Sequence, residues 1–285
     1  MRGPARRTER GRPRSRLAGL SHRRRTLLVG LTALVVAVAL GSAIAVVSGG
    51  TDRPPGASGP GGPAQDRPGP VVLVPGYGGS TSSLDTLAAR IRALGRSATV
   101  IQLPGAGTGS LLADAALLNS AVDSYLRHGA PSVDVVGYSA GGVVALIWAR
   151  QDDGAARARR IITLGSPFHG TQLAADAEAF APSACPAACQ QLVPGSQLLG
   201  GLGVSDPAGL PRWLSLWTGD DQVVTPPESA RLAGAIDVEV QSVCPSARIS
   251  HSQLPTSPVV EAMVLQALGR GPLTRPTAAA CGVSS

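Results

Sequence analysis

Short apolar runs alternate with amphipathic stretches over the last three quarters of the chain. The runs predict buried strands, because they are short, uncharged and bounded by turn or polar residues: Val71 to Val74, Ala98 to Leu103, Val133 to Val136, Ile161 to Leu164, Trp213 to Trp217 and Ile236 to Val243. The stretches between them carry apolar residues three or four positions apart and predict helices: Ser83 to Leu94, Leu111 to Leu126, Gly141 to Arg150 and Pro258 to Leu268. This alternation predicts an α/β fold, with an open, mostly parallel sheet and helices on both faces.

The pattern is different at the N-terminus, where an Arg-rich segment precedes a long apolar run. Residues 1–25 hold ten Arg and one Glu, and residues 26–47 contain no charged residue. As a helix, the run would span about 33 Å, enough to cross a bilayer core of about 30 Å. Arginines before such a run stay in the cytoplasm and direct the following domain outside. We therefore expect either an uncleaved signal anchor in the membrane or a signal peptide cleaved near Ala43-Ile44-Ala45.

Residues 48–70 predict a linker, because 13 of these 23 residues are Gly or Pro and no apolar periodicity is present. The folded domain is then expected at 71–285. The net charge of +7 belongs to the N-terminus, since residues 1–25 carry +9 and the remaining 260 residues therefore sum to −2. A domain so close to neutrality gives no indication of nucleic-acid binding.

All four cysteines lie in the expected domain, which fits a protein exported to an oxidising compartment. Three pairings are possible. We favour Cys185–Cys189, within one short segment, and Cys244–Cys281, which would fix the C-terminal tail. Free buried thiols are the alternative, and zinc binding is disfavoured because no His lies at ligand spacing near these cysteines.

The strongest local motif is Gly137-Tyr138-Ser139-Ala140-Gly141, placed between the apolar run VDVV and the helical stretch VVALIWAR. A sharp turn from strand to helix exposes a serine hydroxyl at the sheet edge, and the helix N-terminus favours developing negative charge. The sequence therefore predicts Ser139 as a nucleophile, rather than an idle serine in a glycine-rich turn.

A serine nucleophile needs a base, and the base needs a carboxylate to orient it. In the order serine, acid, histidine, His251 is the one histidine with room for an acid before it, whereas His22 and His128 precede the serine. The acid is expected after the run RWLSLW, where Asp220 and Asp221 are adjacent, and we favour Asp221.

Acyl transfer also needs two donors for the oxyanion. The backbone N–H of Ala140 is the first candidate. The second is the backbone N–H of Tyr77, in the glycine-rich loop after the first strand of the domain. A phosphate-binding loop is the alternative for this segment, but neither of its usual glycine motifs is present.

The segments VVLVPGYGGS, VDVVGYSAGG, IITLGSPFHGT, WTGDDQVVTP and ISHSQLP resemble small exported bacterial lipases and esterases of the α/β-hydrolase superfamily. The resemblance covers most of residues 71–270 in the same motif order, although that family typically has His-Gly where this chain has Pro75-Gly76. It implies Ser139, Asp221 and His251 as the catalytic residues, with His169 structural or lining the pocket. It also implies an acyl ester or lipid substrate, and neither a metal nor an organic cofactor.

Residues 167–211 form a long insertion between two predicted strands, at the usual position of a cap in this superfamily. We expect it to contain helices of its own, whose apolar residues either line an acyl pocket or pack against the sheet. Alternative functions are a thioesterase or acyltransferase acting on envelope lipids, or a non-catalytic binding protein with a hydrolase-like fold. A complete serine, acid and histidine set in order argues against the last.

Overall fold

A computed structural model describes residues 62–282 of the chain. The expected Arg-rich segment at 1–25 and the expected anchor or leader at 26–47 lie outside the described residues. Within residues 62–282, no helix combines the length and the apolar character that a bilayer crossing requires.

A single sheet of six parallel strands forms the centre of the described part. Its strands are β1 (Val71–Val74), β2 (Ala98–Val100), β3 (Val133–Tyr138), β4 (Ala158–Leu164), β5 (Arg212–Trp217) and β6 (Ile236–Glu239). Their order across the sheet is β2-β1-β3-β4-β5-β6, and every neighbouring pair is parallel. The α/β architecture predicted from the sequence is therefore confirmed.

Helices cover both faces of this sheet, which explains why its central strands are apolar on both sides. The helices are α1 (Ser82–Ala93), α2 (Leu111–Arg127), α3 (Ala140–Gln151), α4 (Gly154–Arg157), α5 (Gln172–Phe180), α6 (Ala187–Gln191), α7 (Gln197–Gly201), α8 (Val240–Val243) and α9 (Pro258–Ala267). Helices α2 and α3 pack on one face, and α1 and α9 pack on the other. In β1, Val72 faces the first layer and Leu73 the second, as the two-residue period of a strand requires.

Several strand boundaries differ from the sequence prediction. Strand β2 ends at Val100 rather than Leu103, and β3 continues to Tyr138 rather than ending at Val136. The differences at β4 and β6 involve polar side chains. Strand β4 begins at Ala158 and includes Arg159 and Arg160, which are fully buried because their guanidinium groups reach carbonyl oxygens beyond α9. Strand β6 ends at Glu239, and the chain then turns into α8. The side chain of Gln241 in α8 bonds to Thr218, at the end of β5.

The expected linker reaches further into the domain than its composition indicates. The side chain of Gln65 accepts a hydrogen bond from Arg160, at 3.0 Å, and donates one to the backbone oxygen of Arg159, at 3.1 Å. Pro63 is buried. The last residues of the expected linker therefore pack against the folded domain.

The insertion between β4 and β5 contains α5, α6 and α7, as the sequence predicts. Three of its leucines are buried in the core layer that also contains Phe168 and Trp213: Leu192, Leu199 and Leu202. These leucines pack as ordinary core residues. Leu173 and Phe180 of α5, in contrast, are 55% and 86% exposed.

Both disulfide bonds are present with the pairing favoured from the sequence. Cys185–Cys189 links the residue just before α6 to the helix itself, and Cys244–Cys281 fixes the C-terminal segment next to α8. Cysteines paired in this way are typical of proteins outside the reducing cytoplasm.

Candidate active site

The predicted site residues follow the carboxyl ends of the parallel strands. Strands β1 and β3 are neighbours in the sheet although β2 lies between them in sequence, so the strand order reverses at this point. The connections after β1 and β3 leave toward opposite sides there, and ligand sites of open α/β sheets lie in the crevice this creates. Tyr77 follows β1 and Ser139 follows β3.

Ser139 occupies a sharp turn between β3 and α3. Its backbone has φ 53° and ψ −125°, a conformation that costs free energy for a residue with a side chain. Hydrogen bonds on both sides hold the turn. The Ser139 N–H donates to Leu164 O in β4, at 2.8 Å, and the Gly142 N–H donates to Ser139 O, at 3.0 Å. The turn leaves the side chain half-buried at the sheet edge.

The side chains of Ser139, His251 and Asp221 are hydrogen-bonded in series. The distance from Ser139 Oγ to His251 Nε2 is 3.0 Å, and that from His251 Nδ1 to Asp221 Oδ2 is 2.7 Å. A proton on Nδ1 donates to the carboxylate, which leaves the Nε2 lone pair to accept from the serine hydroxyl. His251 and Asp221 are 6% and 5% exposed. The structure therefore brings together the three residues that the sequence singled out, although 112 positions separate Ser139 from His251.

Asp221 is fixed by the backbone of its own loop. Its Oδ1 accepts hydrogen bonds from the N–H groups of Val223 and Val224, at 2.9 and 2.8 Å, so Oδ2 is left for His251. Asp220 has a different environment. It is exposed, and its Oδ2 accepts a hydrogen bond from Gln241 at 3.2 Å, so its carboxylate is held by α8.

The imidazole and carboxylate pack against the backbone of Gly165, immediately after β4. Gly165 has φ +57°, and a Cβ atom there would lie 3.1 Å from His251 Nδ1 and 3.2 Å from Asp221 Oδ2. Any side chain at this position would crowd the hydrogen bond between the two residues. The requirement for glycine became evident only from the structure.

The predicted oxyanion donors lie next to Ser139. A Cβ atom at Gly76 would lie 2.8 Å from Ser139 Cβ, so the backbone leading into Tyr77 passes directly beside the serine. Ala140 is the first residue of α3, so its N–H has no acceptor within the helix. The positive end of the α3 dipole adds to the favourable field for an anion at this point.

Tyr138, the aromatic residue of the serine motif, contacts His251. Its ring lies 5.2 Å from the His251 ring, centroid to centroid, with the planes tilted by 33°. Its hydroxyl donates to His251 O at 3.3 Å. Burial, together with the charge of Asp221, raises the pKa of the Tyr138 hydroxyl to about 12, so the group is a neutral donor at physiological pH.

The remaining histidines of the described segment have other partners. His169 is exposed and bonds to Ser229 O through its ring Nδ1, at 3.1 Å, while its N–H also donates to Ser229. This contact joins the loop after β4 to the segment after Asp221, and it agrees with the structural role implied for His169. His128 contacts Ser124 O at the end of α2.

The surroundings of the site combine polar and apolar groups. A cavity of about 460 Å³ beside His251 has mainly polar lining side chains, including Asp220, Gln222 and Arg248. Exposed apolar side chains occur on loops and a helix at the same edge of the sheet: Tyr77, Leu173, Phe180 and Val223. Both polar and apolar side chains are therefore exposed on this side of the described domain.

Solved lipases share this arrangement of strands and helices. The Aspergillus fumigatus lipase B structure superposes with a TM-score of 0.62 at 18% identity, over 79% of this chain and 59% of the lipase. The mature form of the Bacillus licheniformis lipase BlEst2 gives 0.58 at 19% identity, over 70% of this chain and 92% of that one. The chain has an α/β-hydrolase fold. The resemblance predicted from the sequence is thereby confirmed at the level of the fold.

A family model, a further lipase structure and a search of curated proteins complete the comparisons. Residues 102–182, which include the Ser139 turn, match the family described as a PGAP1-like alpha/beta domain. The propeptide form of the Bacillus licheniformis lipase gives a TM-score of 0.59 at 20% identity, over 74% of this chain and 52% of that one. The sequence matches no protein of curated function.

Proposed function

We propose that this chain is a serine carboxylic-ester hydrolase that acts on acyl esters or lipids. The observation that carries the proposal is the hydrogen-bonded series Ser139–His251–Asp221, with the serine on a strained turn between strand and helix. This combination is the arrangement that acyl transfer through a serine requires. The lipases with the same fold support the substrate class, and the apolar groups near the site are compatible with an acyl chain.

In the first half of the proposed reaction, Ser139 Oγ attacks the ester carbonyl carbon while His251 Nε2 takes the hydroxyl proton. The carbonyl oxygen becomes an oxyanion, which the backbone N–H groups of Tyr77 and Ala140 stabilise. Asp221 keeps the proton on Nδ1 and stabilises the imidazolium that forms. The tetrahedral intermediate then collapses, His251 protonates the leaving alcohol, and an acyl-Ser139 ester remains.

In the second half, water replaces the alcohol and the same groups act again. His251 takes a proton from the water as its oxygen attacks the acyl carbon, and the two N–H groups again hold the oxyanion. Collapse returns the proton to Ser139 Oγ and releases the carboxylic acid. Each catalytic group thus ends in the state in which it began, as turnover requires.

The test is ester hydrolysis by the wild type, Ser139→Ala, His251→Ala and the double variant, with a series of p-nitrophenyl esters of increasing acyl length. We expect each single variant to lose at least about 10³–10⁴-fold in rate, and the double variant to lose scarcely more, because the groups act as a unit. Circular dichroism and thermal unfolding check that the variants are folded. Activity of Ser139→Ala within tenfold of wild type would sink the assignment.

A second arm separates hydrolysis from transfer. With acyl acceptors added at increasing concentration, a hydrolase releases free acid as the main product, whereas a transferase forms the new ester in proportion to the acceptor. Labelling of wild type, but not of Ser139→Ala, by a fluorophosphonate distinguishes an enzyme from a binding protein with the same fold. The label reports the nucleophile directly, whatever the natural substrate.

We further propose that the folded domain lies outside the cytoplasm, carried there by residues 26–47. The four cysteines paired in two disulfides support an oxidising compartment. Fractionation with intact-mass analysis tests this: an anchor leaves full-length protein in the membrane, and a leader leaves soluble protein starting near Val46. Active enzyme in the cytoplasm with all four cysteines reduced would contradict both.

A further inference from the structure

We propose that Tyr138 is a positioning residue, which holds the imidazole of His251 in the orientation needed for proton transfer with Ser139. The inference rests on the proposed role of His251 as the base. It assigns a task to a residue of the motif that the proposed mechanism does not use. Its basis is the juxtaposition of two side chains that lie 113 positions apart in the sequence.

His251 needs support because it is carried by a short segment between β6 and α9. Its two ring nitrogens are already bonded to Ser139 and Asp221, so these contacts fix the two edges of the ring and leave its tilt to the packing on its faces. The segment is stabilised locally by the side chains of Ser250 and Gln253, which cap its single turn. That local cap does not connect the segment to the sheet.

Thr218 and Asp221 link the segment to the end of β5, and Tyr138 links it to the end of β3 in two ways. Its ring packs against the imidazole at 5.2 Å, and its hydroxyl donates to the backbone oxygen of the same residue. The ring contact opposes tilting of the imidazole out of the plane that both hydrogen bonds require. The hydroxyl contact opposes movement of the segment away from the sheet.

Tyr138 is itself held by the sheet and by the core, so it can fix the position of His251. It is the last residue of β3 and is paired with Leu164 of β4. Its side chain packs with the core layer that α1 and α9 cover. The next residue is Ser139, whose positive φ turns the chain. The side chains of Tyr138 and Ser139 therefore both reach His251. The end of β3 thus carries the proposed nucleophile, Ser139, and also positions the proposed base, His251, through Tyr138.

The decisive variants are Tyr138→Leu, which removes the ring and the hydroxyl, and Tyr138→Phe, which removes the hydroxyl alone. We expect kcat of Tyr138→Leu to fall about 10²-fold with KM nearly unchanged, because a small misplacement of a reacting group costs about this much. Tyr138→Phe should recover most of the rate, to within about threefold of wild type, since a neutral hydrogen bond is worth little. Tyr125→Leu is the matched control: Tyr125 bonds to Thr99 by its hydroxyl at 2.7 Å and lies outside the triad contacts.

A structural readout accompanies the kinetics. The proton between His251 Nδ1 and Asp221 gives a low-field proton NMR signal that disappears in His251→Ala and therefore can be assigned. We expect Tyr138→Leu to broaden or shift it at a temperature where Tyr125→Leu leaves it intact. If Tyr138→Leu fails to fold, Tyr138→Met fills the space with a flexible chain and is expected to give the same two effects.

Three outcomes would overturn the inference: kcat of the folded Leu or Met variant within threefold of wild type, an unchanged Nδ1 signal, or a fall in kcat/KM that comes from a higher KM at unchanged kcat. The last would mean that Tyr138 contacts the substrate. These results differ from a failure of the proposed function, in which Ser139→Ala remains active. In that case the Nδ1 signal still reports whether Tyr138 orients His251.

Discussion

Charged side chains are buried at both ends of the parallel strands, which we call the amino edge and the carboxyl edge of the sheet. The partners of these charges differ between the two edges. Near the amino ends of the strands, Arg159 of β4 donates from all five of its N–H groups. Two go to the carboxylate of Asp134 in β3, one to Gln65 O, and two to the backbone oxygens of Leu268 and Gly269 after α9. Asp134 also accepts from Arg96, at 2.7 Å.

At the carboxyl ends, the site residues keep part of their hydrogen-bonding capacity for another molecule. The N–H of Ala140 has no acceptor within its helix, and the hydroxyl of Ser139 is bonded to a base that can take its proton. The contrast distinguishes buried polar groups with a structural role from those that can bind another molecule. At the amino ends every donor of Arg159 is used within the protein, whereas at the carboxyl ends a serine hydroxyl, a histidine and a helix N-terminus meet, which is the arrangement on which the proposed function rests.

The buried side chains at the amino edge carry more positive than negative charge, and backbone carbonyl groups compensate for the excess positive charge. The single carboxylate of Asp134 accepts hydrogen bonds from the guanidinium groups of Arg96 and Arg159, and the Arg160 guanidinium adds a third positive charge to the cluster. Carbonyl groups at the C-terminal end of α9, which carry the negative end of the helix dipole, accept several of the remaining hydrogen bonds. The cluster thereby fastens the last helix and the segment at Gln65 to the central strands.

The largest expected effect is at the carboxyl edge, in a comparison of two adjacent aspartates. In Asp221→Asn, the amide oxygen would keep the two backbone N–H groups and the amide nitrogen would face His251 Nδ1. The imidazole would then carry its proton on Nε2, where it cannot accept from Ser139. We expect kcat to fall about 10⁴-fold with stability little changed, as measured by ester hydrolysis and urea unfolding.

Asp220→Asn is the control for this prediction. Its carboxylate faces Gln241, and an amide oxygen can accept the same hydrogen bond, so we expect kcat within about threefold of wild type. If Asp220→Asn were the more damaging change, the acid would be Asp220 and the geometry of the loop after β5 would have to be different from the one described.

The comparison between edges also explains what could be predicted from the sequence. The carboxyl edge could be predicted, because apolar runs locate strand ends and the order serine, acid, histidine selects among few residues. The amino edge could not, because Arg159 and Arg160 interrupt an apolar pattern and several of their acceptors, at and beyond the end of α9, lie more than 100 positions away. Only the fold reveals that such charged residues belong inside a central strand.

The supporting residues of the site were missed for a related reason. Tyr138 is part of the serine motif, and its aromatic character was the one available signal, but its partner His251 becomes its neighbour only in the folded chain. Gly165 stands in IITLGSPFHGT, one of the segments that resemble lipases and esterases, yet its contact with the His251–Asp221 pair depends on a backbone conformation that no local pattern specifies. Residue types and their order point to the proposed reacting groups more readily than to the groups that hold them.

A smaller effect, on stability rather than rate, is expected for Asp134→Asn at the amino edge. The variant keeps the size of the side chain but leaves two guanidinium groups, those of Arg96 and Arg159, without their carboxylate, and breaking a buried ion pair from one side costs about 3–5 kcal/mol. Urea unfolding with the disulfides intact measures the free energy of unfolding, and kcat per folded molecule should stay at the wild-type value. Asp123→Asn is the matched control, because Asp123 pairs with Arg157 at the surface and exposed pairs contribute about 0–1 kcal/mol. An equal loss in both variants, or a fall in kcat with Asp134→Asn, would mean that the two edges are not separate in the way the hydrogen bonds indicate.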